Sequence, residues 1–404
     1  MNKSFLTALC ATGALMFGAA QAADGPSDGS VKVGVLTDMS GVYAAIEGPG
    51  SVIAAEMAIE DFGGEVLGQP IELASADHQE KADVASSIAR RWIDRDNVDM
   101  IVGMVNSAVG LAVQGLASDK QTITMNTGAG SQELTESQCS KYGIHYVYDT
   151  YALPVGTATA MVENGGKKWF FITADYTFGH SLQKSTARVV RELGGEVVGS
   201  VNAPLGTNDF SSYLLQASSS GADVIALANA GNDTVNAIKQ AHEFGIVDRG
   251  QKLAGMLVFL SDVKALGLET AQGLQFTTAF YWDRTEKSRE WSQRFLDKHG
   301  EMPTMVDAGV YSATLAYLKA VEAAGTDEAD AVRAELGDMK INDFFVTDGS
   351  IEPNGLMPHD MYLVRVKQPS ESEGPWDLLE VVSTIPADQA YIATEDSACP
   401  LLGE

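Results

Sequence analysis

The sequence predicts an α/β fold of two Rossmann-like lobes, each a parallel sheet covered by helices. Three observations predict it. Short, almost wholly apolar segments read as strands, longer amphipathic segments separate them, and the same alternation restarts near residue 150. Strands buried on both faces carry continuous apolar runs, and parallel neighbours need helical crossovers to join them.

The first block opens with a strand over 31–37 and a glycine-bearing loop over 38–50. Ile53, Met57 and the Ala54/Ala58 pair fall at helical spacing over 51–62, and Gly63-Gly64 stops that helix. A strand over 71–76 leads to a helix over 82–94, with Val84, Ile88, Trp92 and Ile93 on one face. A strand over 99–105, a helix over 110–118 and a strand over 122–126 complete the block. The second block runs helix 154–163, strand 169–173, helix 178–193, strand 197–202, helix 210–218, strand 223–229 and helix 233–244. Gly194-Gly195 and Gly245 end two of its helices. Strands over 253–257 and 274–280 follow, then helices 286–299, 305–325 and 329–336, and strands 361–366 and 378–384. This late material is too small for a third core and must return to the earlier blocks.

Lys3, the small apolar run 5–20 and Ala20-Gln21-Ala22 read as a signal peptide over 1–22, which sends the chain to the periplasm. The run is too short and too rich in Ala and Gly for a stable membrane span. Cys139 and Cys399 remain after processing, an even count in an exported chain, which suggests one disulfide; two free buried thiols are the alternative. Acids outnumber bases 54 to 27, which excludes nucleic acid and anionic membrane as partners. The acids are scattered rather than blocked, so they read as a solvated surface.

Motifs for several enzyme classes are absent. The six histidines fall singly, and there is no Walker loop, no GxGxxG after the first strand and no GxSxG. The chain reads as a binder without cofactor or metal, and not as an enzyme. The informative residues lie at the strand ends, where open parallel sheets bind ligands. In the first block these are Tyr43 in the loop after the first strand, Ser107 after the third, and Ala129, Gly130 and Ser131 after the fourth. Backbone N–H groups and serine hydroxyls where helices begin can form an anion pocket without a cationic side chain; the plainer reading makes both serines helix caps. In the second block the strand ends carry Tyr176, Phe178, Asn229 and Phe280, with Tyr151 in a nearby loop. Such loop aromatics suit an apolar or aromatic ligand with a polar edge, although aromatic stripes are also ordinary core.

The segments VGVLTDMSG (33–41), TGAGSQELT (127–135), ADYTFG (174–179) and AIKQAHEFG (237–245) together resemble the Leu/Ile/Val-binding family of periplasmic solute-binding proteins of ABC transporters. The resemblance covers nearly the whole mature chain. It implies a type I periplasmic binding protein fold, with two lobes joined by a three-segment hinge at 149–150, 278–279 and near His359. The lobes would be 31–149 plus 280–358, and 150–279 plus 359–404. Ser107 matches the hydroxyl that grips the ligand carboxylate, Ala129 and Ser131 lie in the matching backbone clamp, and Tyr176 or Phe178 matches the covering aromatic. Amino-acid receptors of the family hold the α-ammonium with a carboxylate of the second lobe. Here the corresponding segment, MLVFLSD (256–262), is apolar at that place, and Asp262 comes a few residues late. A buried ammonium without a paired acid costs several kcal/mol, roughly.

FYWDRT (280–285), MPTMVDAGVYS (302–312), HDMYLVRVKQP (359–369), SESEGPW (370–376) and CPL (399–401) are similar to a subgroup that takes up lignin-derived aromatic acids. The resemblance implies a monomeric receptor that closes on a benzoate- or hydroxycinnamate-like acid and presents it to an ABC permease of the inner membrane. A receptor for branched amino acids or small amides is the alternative, and a ligand sensor feeding a signalling system is the alternative of another class.

Overall fold

The computed structural model describes residues 25–403, so the signal-peptide reading falls outside the described residues. The first sheet contains β1 (Val31–Thr37), β2 (Glu65–Val66), β3 (Gln69–Asp77), β4 (Met100–Gly103), β5 (Ile123–Asn126) and β6 (Gly143–His145), in the order β2-β3-β1-β4-β5-β6. Every pair except the β2–β3 hairpin is parallel. That hairpin precedes the strand expected over 71–76. It turns on Leu67 and Gly68, with φ of 52° and 74°, the left-handed pair that a tight hairpin needs.

Helices α1 (Gly48–Phe62), α2 (Ala82–Arg95) and α3 (Ser107–Asp119) cross between these strands. α1 and α3 each begin three residues before the expected start. Pro49 stands in the first turn of α1, where its missing N–H is harmless, and Asn106 caps α3.

The second sheet is parallel throughout, in the order β10-β9-β7-β8, from β7 (Lys168–Ala174), β8 (Glu196–Ala203), β9 (Val224–Ala228) and β10 (Lys252–Gly255). It is flanked by α4 (Ala152–Glu163), α5 (Thr177–Glu192), α6 (Ser211–Ser218) and α7 (Asn232–Glu243). Two short helices not foreseen, α8 (Leu260–Leu266) and α9 (Leu268–Ala271), follow β10.

The strand expected over 274–280 is only β11 (Gln275–Thr278), and it joins neither parallel sheet. It pairs antiparallel with β12 (Met361–Val366), which pairs antiparallel with β13 (Leu379–Ile385). The chain leaves the second lobe after β11 and re-enters just before β12, so the two crossings lie side by side in opposite senses. Between them, α10 (Glu286–His299), α11 (Met305–Ala324) and α12 (Ala329–Asp338) return to the first lobe. The Tyr311 hydroxyl donates to Asp61 Oδ2 of α1 (2.7 Å), and Arg294 grips the same carboxylate with both terminal nitrogens (2.9 and 2.6 Å).

The crossings are tied to each other. Met357 N–H donates to the His145 carbonyl (3.0 Å), and the His359 Nε2 lies 2.8 Å from the Val147 carbonyl. The tail corrects the expectation that 359–404 belongs wholly to the second lobe. Beyond α13 (Ala387–Ala390) it passes onto first-lobe residues. Thr394 donates to Glu352, the Ser397 hydroxyl to the Thr135 carbonyl, and Ala398 N–H to Glu136 (2.6 Å). Cys399 is then disulfide-bonded to Cys139, with Cα atoms 5.6 Å apart. The physical reason is that β13 delivers the chain at the hinge, where acceptors of the first lobe are within reach. The tail is therefore a fourth strap between the lobes.

Candidate functional site

The C-terminal ends of the first sheet form one wall of the interlobe cleft. Asp38, where β1 ends, accepts the N–H groups of Ser40 (3.2 Å), Gly41 (2.6 Å) and Tyr43 (2.9 Å) and so shapes the loop that carries Tyr43 and Ile46. Asn106 caps α3, accepting from Ala108 N (2.8 Å) and Val109 N (3.2 Å). Ser107 is thus the first helical residue rather than the cap. It is fully buried, and its Oγ accepts the Ser131 N–H (3.1 Å). Ser131 does act as a cap, for the single turn Gln132–Leu134, through a 3.4 Å bond to Glu133 N.

The loop between the two serines is fixed by its carbonyls. His145 Nε2 donates to the Ala129 carbonyl (2.6 Å), and Thr150 N–H donates to the Gly130 carbonyl (2.7 Å). In a trans peptide the N–H points opposite to the carbonyl. The Gly130 N–H therefore faces away from His145, as the Ser131 N–H faces Ser107.

The opposite wall comes from the second lobe. Tyr176 and Phe178 open α5, and Ala230, Leu257 and Phe259 follow β9 and β10. Together with Tyr43, Ile46, Val105 and Tyr148 they enclose a space of only about 10 Å³, room for about one water molecule. The Tyr43 and Tyr176 hydroxyls meet across the lobes at 2.7 Å. Gly231 makes this approach feasible. A Cβ there would lie 2.7 Å from the Val42 carbonyl and 3.0 Å from the Tyr43 ring, and its φ is 58°. A ring-sized ligand does not fit this space unless its walls move apart.

Two residues expected at the cleft lie elsewhere. Phe280 sits in the first-lobe core, its ring centroid 5.8 Å from Phe344, 6.2 Å from Trp291 and 6.4 Å from Phe345. The crossover turns immediately after β11 and drives it inward. Tyr151 lies under the Arg188 guanidinium (5.2 Å), beside the last turns of α5, while the cleft is at the first turn. Asn229 is buried next to the lining residue Ala230; its Oδ1 accepts from the Thr234 hydroxyl (2.7 Å) and its Nδ2 has no partner among the described residues. Tyr148, a loop aromatic like Tyr43 and Tyr151, joins the lining, and so do Ile46, Val105, Leu257 and Phe259, which the strand-end rule does not single out. The apolar stretch 256–260 was itself the available signal, since it stands where an acid was sought.

The interior of this wall is acidic. Glu47 is buried, accepts from Thr37 Oγ1 (2.8 Å) and Val105 N (3.0 Å), and is pushed by burial up to about 8. Burial also raises both bridging tyrosines well above their usual range. His145 is pushed down to about 4 by burial. Because its folded value lies below the ordinary 6.5, its contribution to stability is complete above pH 6.5 and is lost as pH falls through about 4. His145→Gln, whose amide can still donate to Ala129, should lose less melting temperature than wild type between pH 6.5 and 4. Parallel losses would show that His145 does not carry this dependence.

Two sheets whose strand ends face each other across a closed aromatic cleft define a two-lobed binding protein of type I. A model of the periplasmic binding protein family matches residues 30–374, and the chain belongs to that family. It is 27% identical to Leu/Ile/Val-binding protein homolog 6 of Brucella melitensis, over 76% of this chain and 80% of that protein. A periplasmic binding protein from Burkholderia mallei is 52% identical, covers 92% of this chain and 99% of its own, and superposes with a TM-score of 0.90. A branched chain amino acid ABC transporter periplasmic ligand-binding protein from Burkholderia xenovorans is 44% identical with the same coverage and a TM-score of 0.82. The fold is also that of a solute-binding protein from Rhodopseudomonas palustris in complex with 4-hydroxybenzoate, 23% identical over 89% of this chain and 97% of that one, with a TM-score of 0.80. The chain is thus a periplasmic substrate-binding protein of the ABC-transporter type; among the described residues no helix is long and apolar enough to cross a membrane.

Proposed function

We propose that this protein captures a small aromatic carboxylate between its lobes and delivers it, unchanged, to an ABC permease of the inner membrane. The observation that carries the reading is the cleft's lining. The rings of Tyr43, Tyr148, Tyr176, Phe178 and Phe259 enclose one space. Gly130, in the loop that the Ser107–Ser131 hydrogen bond holds, abuts Tyr148 and Phe178 of that lining. The rings would sandwich an aromatic plane, while the Ser107 hydroxyl and the Gly130 N–H would meet its carboxylate at the start of α3. Asp262 has a local structural task, since its Oδ2 accepts Phe259 N–H (2.9 Å) at the start of α8. In this reading the lobes are 31–149 with 280–358, and 150–279 with 359 to about 391.

A second reading has one observation in its favour. Asp233 is buried in the first turn of α7, with Oδ2 accepting Gly206 N–H (3.0 Å) and Oδ1 without a partner among the described residues. A ligand N–H could fill that position, as in a branched amino acid or small amide.

Melting temperatures measured with benzoate, 4-hydroxybenzoate, a hydroxycinnamate, leucine and a small amide separate the two. A ligand at 100 times its Kd adds about 2.7 kcal/mol of stability. Stabilisation by leucine and by no aromatic acid would remove the first reading. Ser107→Ala should weaken carboxylate binding by roughly 1–2 kcal/mol, the scale of a hydrogen bond to a charged group. It should also lower stability by about 1 kcal/mol, because the Ser131 N–H loses its acceptor. Unchanged calorimetric affinity would confine Ser107 to a structural part.

A further inference from the structure

Where β3 ends, two consecutive non-glycine residues, Gln79 and Glu80, occupy the left-handed region with φ of 54° and 58°. Such strain persists only where surrounding contacts over-determine it. Here it folds Glu80 back against the cleft wall. The Glu80 N–H donates to His78 Nδ1 (3.1 Å), and Glu80 Oε2 accepts from Asn106 Nδ2 (2.7 Å). The side chain is only 11% exposed, so its remaining oxygen must be satisfied within the protein. Oε1 is buried with no hydrogen-bond partner among the described residues, and Asp38 is one of the acids whose charge raises this carboxyl.

Asp38 already accepts three backbone N–H groups, which hold the loop that carries Tyr43. A buried carboxyl oxygen without a donor, in acidic surroundings, costs least when that carboxyl keeps its own proton, and in this wall that carboxyl is Glu80. The groups facing Glu80 supply no positive charge to replace that proton. They are Asp38 and Tyr43 of the loop after β1, Glu47 at the start of α1, Asp77 and His78 of its own strand end, and Tyr176 of the second lobe. His78 accepts at Nδ1, and its burial holds it neutral, at about 4.

We propose that Glu80 is a positioning residue of the ligand cleft that works in its protonated form, clamping the Asp38 loop that carries Tyr43 to the Asn106 cap that precedes Ser107. This rests on the reading of the cleft as the ligand site. The pH dependence follows in sign. Burial and the neighbouring acids raise Glu80 from the ordinary 4.5 to about 8. The clamp is therefore complete below pH 4.5 and lost as pH rises through about 8.

The test compares wild type, Glu80→Gln and Glu80→Ala from pH 6 to 9.5. One arm measures calorimetric affinity for benzoate, which stays a carboxylate throughout. The other measures melting temperature without ligand. Wild-type affinity should hold near neutrality and fall at least tenfold by pH 9.5. Glu80→Gln should keep the neutral affinity at every pH, because its amide brings no charge beside the neighbouring acids and still accepts from Asn106. Glu80→Ala should bind weakly throughout. The melting temperature of Glu80→Gln should gain on wild type as pH rises. Failure of wild type to bind benzoate removes the proposed ligand and leaves the melting arm to decide the role of Glu80. A Glu80→Gln curve that parallels wild type in that arm overturns the role.

Discussion

Gly130→Ala is expected to lower affinity for an aromatic carboxylate about five- to a hundredfold while the chain still folds. A Cβ at this position would lie 2.9 Å from Tyr148 Cε2 and 3.1 Å from Phe178 Cε2. Backbone conformation is no obstacle, because Gly130 is outside the left-handed region. The Tyr148 ring cannot yield easily, since its hydroxyl is bonded to the Gly128 carbonyl in the same loop. Phe178 belongs to the second lobe, so its share of the crowding is relieved by parting the lobes, while the share against Tyr148 stays within the first lobe. Overpacking of this kind costs about 1–3 kcal/mol, and a cost that falls on the closed form appears as lost affinity at about 1.4 kcal/mol per tenfold. Calorimetric titration with 4-hydroxybenzoate checks the loss, and solution scattering checks the wider opening. Wild-type affinity in the variant would show that the lobes do not close against Gly130.

The second large effect concerns the tail. Replacing Cys139 and Cys399 together by serine should lower unfolding stability by roughly 3–5 kcal/mol, because the bond closes a loop of 260 residues. The bond also holds the tail after it has crossed from the hinge to the first lobe. Ala398 and Ser397 make only isolated hydrogen bonds there, so without the bond this stretch should fray. Urea midpoints with and without reductant, together with limited proteolysis of the last residues, measure both consequences. A midpoint unchanged in the double variant would show that the packing of Tyr391 and its neighbours holds the tail unaided.

Both effects sit on parts of the molecule that the sequence revealed unequally. The two parallel sheets were legible because β1, β4, β7 and β9 are continuous apolar runs bounded by glycine or polar turns. Helix starts were less legible. Apolar spacing begins only where a helix meets the core, whereas α1 and α3 start one turn earlier, on Pro49 and Asn106. The antiparallel sheet was misplaced, because β11 reads like any other short strand and its partners lie more than eighty residues away. At the cleft, Tyr43, Tyr176 and Phe178 could be named from strand ends alone. Phe280 and Tyr151 satisfied the same rule and lie outside the cleft, since a strand end fixes where a residue begins and not which way the next turn throws its ring.

The sequence by itself determined the two α/β lobes, the family, and the serine and aromatic character of the strand ends, because these depend on local periodicity and on short motifs. Only the tertiary structure decided that Tyr43 and Tyr176 meet across the lobes, that Gly231 and Gly130 set how closely the walls approach, and that the tail returns to the first lobe. It also decided that Glu80 is buried against the Asn106 cap. Each of these joins residues from separate segments, and such a contact is fixed by how sheets and crossovers stack, which no local pattern of residues encodes.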